Sequence, residues 1–312
     1  MTYIVTGSAG FVGSSITKLL LNEGHTVIAT QHKSTVLPEI ISPSLIRFTT
    51  DIFNIDTFKS GLENLLKEHN ITEIEAFIHL AWNGVFGASR FNKEIQDNNI
   101  QCVVDCVRVC ADLGCKKFIT CGSIMEFESS IALLHSDYPT HSPIATYCYA
   151  KYYSHGIGFN EAAKNRVQFF YPIISKAYGV GDTSNRFINN TLNKIIDKEP
   201  LSFSAATQLY DFVYIDDISR AIKVILDKGK PFRNYVLGSG SPIPLKNFIL
   251  DMVDLGGKPY PNEVIFGKPV GFSLTEKEYN TENIINDTGF MPNVPFKTGI
   301  KLTYDWLKSL RG

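Results

Sequence analysis

Near its start the chain reads Tyr3-Ile4-Val5-Thr6-Gly7-Ser8-Ala9-Gly10-Phe11-Val12-Gly13. The apolar run at residues 3–6 reads as a short strand. Val12, Ile16, Leu19 and Leu20 then recur at helical spacing over residues 11–22, and a second strand pattern follows at 26–30. Strand, glycine-rich turn, helix and strand make one βαβ unit. Its glycines stand where such a unit needs them: Gly7 at the tight turn, Gly10 where backbone approaches a pyrophosphate, and Gly13 where helix closes on strand. The helix N-terminus offers N–H donors and its dipole to the phosphates. Ala9, Phe11 and Val12 complete the contacts expected of this turn with a dinucleotide.

The alternation continues outward. Strands are expected at 45–49, 76–80, 117–121 and 167–174, with helices at 56–69, 94–113 and 147–164. This is the pattern of an α/β protein with a doubly wound parallel sheet. Residues 124–146 read as a loop. From Pro172 prolines, glycines and short elements alternate, so residues 1–171 are expected to form a dinucleotide-binding domain and residues 172–312 a smaller C-terminal substrate lobe. The segment at about 211–237, a helix at 216–226 and a strand at 234–237, should return to the first domain. Asp216 and Asp217 then read as an N-cap and a first-turn acid rather than catalysts. Closing helices are expected at 281–289, 296–300 and 303–310.

The chemistry points to Thr146-Tyr147-Cys148-Tyr149-Ala150-Lys151, read together with Gly122-Ser123 at the end of a strand. On a helix Tyr147 and Lys151 share a face, with Cβ atoms roughly 5–6 Å apart. Lowering a phenol from a pKa of about 10 to near 7 takes about 4 kcal/mol. One cation at roughly 4 Å, at an effective dielectric near 20, supplies about that much. The pattern alone is weak, because Tyr304-Asp305-Trp306-Leu307-Lys308 repeats the spacing in what reads as an amphipathic helix packed by its tyrosine, with a solvated lysine. Context distinguishes the first copy: a nucleotide-binding turn and a strand ending at Gly122-Ser123.

Composition narrows the partners. The 312 residues are 44% hydrophobic with a formal charge of -1 and no long run of one sign, which argues against nucleic acid or a membrane surface as partner. No apolar run has the length of a membrane span and no leader precedes Tyr3, so a cytoplasmic location is expected. The six cysteines lie between Cys102 and Cys148 without a Cys-x-x-Cys pair or matching histidines, so no metal is expected. Cys102, Cys106 and Cys110 form a helical stripe that reads as packing, and reduced thiols suit that location.

Taken together these residues resemble the extended short-chain dehydrogenases/reductases of the nucleotide-sugar epimerase/dehydratase group, which share the Rossmann fold. The resemblance covers nearly the whole chain. It is carried by Thr6-Gly7-x-x-Gly10-x-x-Gly13, Asp51-Ile52, His79-Leu80-Ala81, Asn99, Ser123, Tyr147 with Lys151, Tyr178-Gly179 with Gly181-Asp182, Tyr210 through Asp217, and Leu237-Gly238-Ser239-Gly240. It implies Ser123, Tyr147 and Lys151 as catalytic residues. Serine and tyrosine would bind the sugar oxygen that is oxidised or reduced, and lysine the nicotinamide ribose. It adds Asp51, Ile52, Leu80, Ala81 and Asn99 to the cofactor contacts, although Asp51 is equally suited to cap the helix near Asp56. His79 reads as structural support. The loop at 82–90, with Trp82 and Asn83, is expected to shape the sugar pocket.

Three departures narrow the group. Ser123 is followed by Ile124-Met125 rather than the Asp-Glu pair of the 4,6-dehydratases, which disfavours dehydration; Glu126 lies one position further on and is not assigned that chemistry. The second strand ends in Thr30-Gln31-His32-Lys33-Ser34 without an acid for a ribose 2′-hydroxyl, so NADP(H) is favoured and NAD(H) remains possible, with His32 as first candidate contact, Lys33 next, and a solvated turn as the plain reading. Tyr210 stands where the group often has an arginine, so diphosphate recognition passes to Asn185 and Arg186, the latter also suited to a surface salt bridge. The expected activity is NADPH-dependent reduction of the 4-keto group of a nucleotide-activated deoxysugar (dTDP-, CDP-, GDP- or UDP-linked), as in surface polysaccharide biosynthesis. The alternatives are a nucleotide-sugar 4-epimerase with tightly bound NAD and, behind it, a non-catalytic NAD(P)-binding regulator. The resemblance also implies a homodimer through the helices at 94–113 and 147–164, burying Val103, Val107, Cys110, Tyr152, His155, Gly156 and Phe159; packing of these residues within one chain is the other reading.

Overall fold

Tyr3, Ile4 and Val5 are buried on both faces because strand β1 (Thr2–Thr6) lies inside a parallel sheet covered by helices on either side. The computed structural model describes residues 1–34, 40–134, 145–257, 260, 262–269 and 273–311. After β1 come α1 (Phe11–Asn22), β2 (Thr26–Gln31), β3 (Leu45–Thr49), α2 (Ile55–Glu68), β4 (Ala76–His79), α3 (Lys93–Asp112), β5 (Lys117–Thr120), β6 (Gly122–Ser123), α4 (Met125–Leu134), α5 (Ala145–Lys164) and β7 (Gln168–Ile174). The second part holds β8 (Lys176–Tyr178), α6 (Phe187–Ile196), β9 (Leu201–Phe203), β10 (Leu209–Tyr210), β11 (Phe212–Tyr214), α7 (Ile215–Lys228), β12 (Asn234–Leu237), β13 (Ile243–Pro244), α8 (Leu245–Val253), β14 (Val264–Phe266), α9 (Glu282–Thr288) and α10 (Phe296–Ser309). Helix α4 occupies a stretch that reads as loop in the sequence, and α10 is one continuous helix where two short ones are expected.

The main sheet runs β12-β7-β5-β4-β1-β2-β3, with β6 beside β7, all pairs parallel. This is the doubly wound Rossmann arrangement. Helices α1 and α7 lie against one face, where Ser219 Oγ donates to Ser15 Oγ at 2.7 Å. On the other face α2, α3 and α5 bury Phe58, Leu62, Val103, Val107 and Ala162. Strand β12 joins the outer side of β7 in the register Asn234↔Tyr171 to Leu237↔Ile174.

β5 and β6 are one strand interrupted at Cys121, so both pair with β7 but the Cys121 carbonyl is left out of the ladder. That break positions the site described below.

Packing bears on two sequence readings. Val103, Val107 and Cys110 are fully buried inside the chain, His155 stacks on Tyr171 with centroids 3.8 Å apart, and Phe159 meets Phe232 edge-on at 4.8 Å. Of the residues expected at a two-fold interface, Tyr152 and Gly156 remain exposed. Nor does Asp216 cap α7, whose cap position is Tyr214; both acids lie in its first turn. Asp217 is buried and accepts from the Asn293 and Val294 amides, tying the last segment to α7.

Candidate active site

A cavity of about 890 Å³ opens at the C-terminal ends of β1, β4, β5 and β7, where ligands sit in doubly wound sheets. One arm is lined by Gly7, Ala9, Gly10, Phe11, Val12 and Gly13. Gly7 has φ +67°, and a Cβ there would come within 2.6 Å of the Ala81 nitrogen; a Cβ on Gly13 would strike the Gly7 carbonyl. Gly10 meets only the Gly7 carbonyl, at 3.2 Å, and the α1 N-terminus it precedes carries no side-chain cap. Unsatisfied first-turn N–H groups beside a bare backbone fit a pyrophosphate.

His32, Asp51, Ile52, Leu80 and Ala81 line the same arm. The His32 ring bonds Ser34 Oγ at 2.7 Å, while Lys33 does not line the cavity. Asp51 accepts from the Phe53 amide at 3.0 Å, and Asn54 rather than Asp51 caps α2. Asn99 stays outside the cavity wall. It clamps Asn83 instead, accepting from its amide at 2.9 Å and donating to its carbonyl at 2.8 Å. Its neighbour Gln96 accepts from the Trp82 indole at 2.9 Å, so α3 holds the loop that presents both residues to the cavity. His79 forms part of the floor, bonded to Thr6 Oγ1 at 2.9 Å, and burial drives its pKa down to about 3.

Ser123, Tyr147 and Lys151 meet where the arms join. Tyr147 and Lys151 are each 8% exposed. The ammonium donates to the Cys121 carbonyl at 3.0 Å and lies 3.5 Å from the Trp82 ring centre. The direct ammonium–phenol coupling expected from spacing is therefore not the arrangement found, because the strand break offers Lys151 a better acceptor. The cation over the Tyr147 ring is Arg90, its Cζ 4.4 Å from the centroid. Burial pushes the Tyr147 phenol up to about 12, against the pull of Arg90 and Arg186, and brings Lys151 down to about 8. The Cys121 thiol, which also lines the cavity, is pushed up to about 12 by burial.

The other arm is lined by Trp82, Asn83, Arg90, Lys176, Arg186 and Tyr210 among others. Asn185 is exposed and does not line it. Lys176 Nζ lies 5.0 Å from the Tyr210 ring, setting a cation beside that residue, and Arg90 Nε is buried with no hydrogen-bond partner. Sequence reasoning singled out neither. Arg90 ended the loop already tied to the pocket, whereas Lys176 carries no local signal. Asp211, in the Tyr210–Asp217 signature, is fully buried and accepts from the Ser239 and Gly240 amides at 2.8 and 3.1 Å, an approach that a Cβ on Gly238 would block. It joins two signature segments structurally.

Among the described residues, His79, Cys102 and Cys106 bring possible ligand atoms within 4.8 Å of one another. Contact with the Cys102 thiol, 4.0 Å away, and burial hold the Cys106 thiol well above its ordinary value. Cys102 Sγ also points at the Ile52 carbonyl, at 3.9 Å. Cys102 and Cys106 are both buried in the core packed under the sheet, the place the cysteine stripe is expected to occupy.

A glycine-cradled arm meeting a Ser-Tyr-Lys centre defines a nicotinamide-dinucleotide enzyme of the extended short-chain class. The NAD dependent epimerase/dehydratase family model matches residues 3–238, and the chain belongs to that family. The chain is 25% identical to a UDP-glucuronate 4-epimerase of Thermodesulfobacterium geofontis, over 98% of this chain and 96% of the relative. It is 27% identical to a dTDP-6-deoxy-L-talose 4-dehydrogenase (NAD(+)) of Aggregatibacter actinomycetemcomitans, over 81% and 90% of the two chains. In fold it is similar to the UDP-glucose 4-epimerase of Thermotoga maritima crystallised with UDP-glucose, with TM-score 0.81, 19% identity and full coverage of both chains.

Proposed function

We propose that this enzyme reduces the 4-keto group of a nucleotide-activated deoxysugar, with NADPH as the favoured reductant. The observation that carries the reading is the position of Ser123, Tyr147 and Lys151 between the glycine-lined arm and an arm bearing Arg90, Lys176 and Arg186. A cationic arm suits a sugar diphosphate, and the buried, unpartnered Arg90 Nε is a donor awaiting an anion. When bound, the nicotinamide supplies the hydride. Ser123 Oγ would hydrogen-bond the carbonyl oxygen, and Tyr147 would give it a proton. Arg90 and Arg186 lower the cost of the phenolate left behind. Trp82 and Tyr147, edge-on at 6.2 Å, close the pocket around the sugar. Ile124 is fully buried, so the position after Ser123 has no acid or base to offer the cavity, which disfavours dehydration.

The 4-epimerase reading, with NAD held through both half reactions, is favoured by the near-complete coverage of the UDP-glucuronate 4-epimerase relative. The reductase reading is favoured by the 4-dehydrogenase relative and by the acid-free turn at Gln31, His32 and Ser34 along the cavity. A regulator without chemistry has no use for the intact Ser123, Tyr147 and Lys151. We read residues 1–171, joined by about 211–237, as the cofactor part and the rest of 172–312 as the substrate part, and the exposed side of α3 and α5, with Tyr152 and Gly156, as a homodimer face. Sedimentation at one unchanging 34.9 kDa mass would end the dimer proposal. The test of function is to identify any nucleotide retained through purification and to titrate NADPH and NADH separately. NADPH should bind more tightly, and His32→Asp should narrow the gap. A tenfold preference for NADH, about 1.4 kcal/mol, would move the assignment to the epimerase.

A further inference from the structure

Glu126 points beneath the catalytic centre rather than into the cavity. It is 1% exposed, although carboxylates are rarely buried without a purpose. Its Oε1 accepts from the Ser123 amide at 2.7 Å and from the Tyr171 hydroxyl at 3.0 Å, and the same hydroxyl lies 3.1 Å from the Lys151 carbonyl. A Cβ on Gly122 would stand 2.6 Å from Glu126 Oε1 and would strike the Tyr171 ring. The glycine of Gly122-Ser123 is thus the space the carboxylate needs. One acid bonds β6 and β7 directly and reaches α5 through Tyr171, the elements that carry Ser123 and Lys151.

We propose that Glu126 is a positioning residue of the catalytic centre: its buried carboxylate fixes the Ser123 backbone and serves as the counter-charge that keeps Lys151 protonated. This deepens the proposed function, because it rests on Ser123, Tyr147 and Lys151 being the reacting groups. The charged or titratable groups around it are Lys151 and Tyr147 on α5, Tyr171 on β7 with His155 stacked on that ring, and Cys121 at the strand break. Lys151 supplies the cation among these, and the Glu126 carboxylate raises its pKa against burial more than Cys121 does. Burial in turn raises the Glu126 pKa to about 7, against the pull of the Ser123 amide, the Lys151 charge and the Tyr171 hydroxyl, each of which favours the carboxylate. Loss of the carboxylate should leave Lys151 easier to deprotonate, as expected for a nearby opposite charge.

The experiment follows lysine ¹⁵Nζ and glutamate ¹³Cδ resonances of the full chain across pH, without turnover, with Lys151→Met and Glu126→Gln spectra for assignment. A wrong choice of sugar or reaction leaves this readout intact; turnover assays test that reading separately. In the unmutated protein Glu126 should titrate near 7 and Lys151 near 8. In Glu126→Gln, which keeps an acceptor oxygen but no charge, Lys151 should titrate about one pH unit or more lower. Glu126→Asp should restore much of the shift, and Tyr171→Phe, which removes a hydrogen bond but not the charge, should leave Lys151 where it was. A Glu126 carboxyl that stays protonated until Lys151 has lost its proton, or a Lys151 titration unmoved in a folded Glu126→Gln protein, overturns the proposal. The glutamate arm needs no variant to fold beyond the one used for assignment, for which Glu126→Asp can stand in.

Discussion

Helices α5 and α10 carry the same Tyr-x-x-x-Lys spacing and put it to opposite uses. In α10 the inward positions are Gly299, Ile300, Thr303 and Leu307, so Tyr304 is half-buried at the edge and Lys308 is exposed, its Nζ 5.5 Å from the Tyr304 ring. In α5 the buried positions include Tyr147 and Lys151 themselves. The difference lies in what each helix faces. α10 packs against Tyr178, Tyr214 and Phe248 through an apolar stripe, whereas α5 crosses a strand break whose free carbonyl takes the lysine. Burying a cation is costly unless something hydrogen-bonds it, and the Cys121 carbonyl facing α5 does so for Lys151. Spacing puts two side chains on one face; the surface opposite that face decides whether they do chemistry.

The comparison breaks most readily at the tyrosines. Tyr147→Phe should lower turnover by about two to four orders of magnitude with cofactor binding kept, while Tyr304→Phe should leave turnover unchanged. Equal effects in a steady-state assay would show that both copies are structural.

The converse test concerns stability. Leu307 is 7% exposed in the core, and Leu307→Ala should cost about 2–5 kcal/mol in denaturant unfolding, with nucleotide affinity unchanged. A loss of affinity instead would place α10 in the site.

Between the lysines, Lys151→Met should weaken both turnover and cofactor binding by about 10- to 100-fold, as for a lost hydrogen bond from a charged group. Lys308→Met should do neither. Brief reductive methylation should mark Lys308 and spare Lys151, read by peptide mass.

Acid sharpens the contrast least in size but most locally. Burial holds His155 on α5 at about 4, below its unfolded value of about 6.5. A depressed folded pKa favours the fold above the unfolded value, and that contribution is lost as pH falls through about 6.5 toward 4. The α10 segment contains no histidine. Amide protection should therefore fall earlier on acidification in α5 than in α10, and His155→Phe should reduce the gap.

Much of the fold was legible because its signals are local. Glycine placement, the 3.6 period and apolar runs act within a few residues of chain, and α1, β3 and β12 end where those signals end. Helix α4 was not legible: Met125-Glu126-Phe127-Glu128 sets acids between apolar residues without a helical stripe, and the helix forms because Glu126 is anchored to Ser123 and Tyr171.

By itself the sequence determined the βαβ opening and the alternation that builds a parallel sheet, and it singled out Ser123, Tyr147 and Lys151 as the proposed reacting groups, since each rests on residue type and short spacing. Only the tertiary structure decided that Lys151 turns to the Cys121 carbonyl, that Arg90 covers Tyr147, that Lys176 stands by Tyr210, that Asn99 serves through Asn83, and that a buried Glu126 underlies the centre. Each of these joins residues on separate elements. Burial and neighbouring charge set their properties, and both depend on which elements cross in space, information that spacing along the chain does not carry.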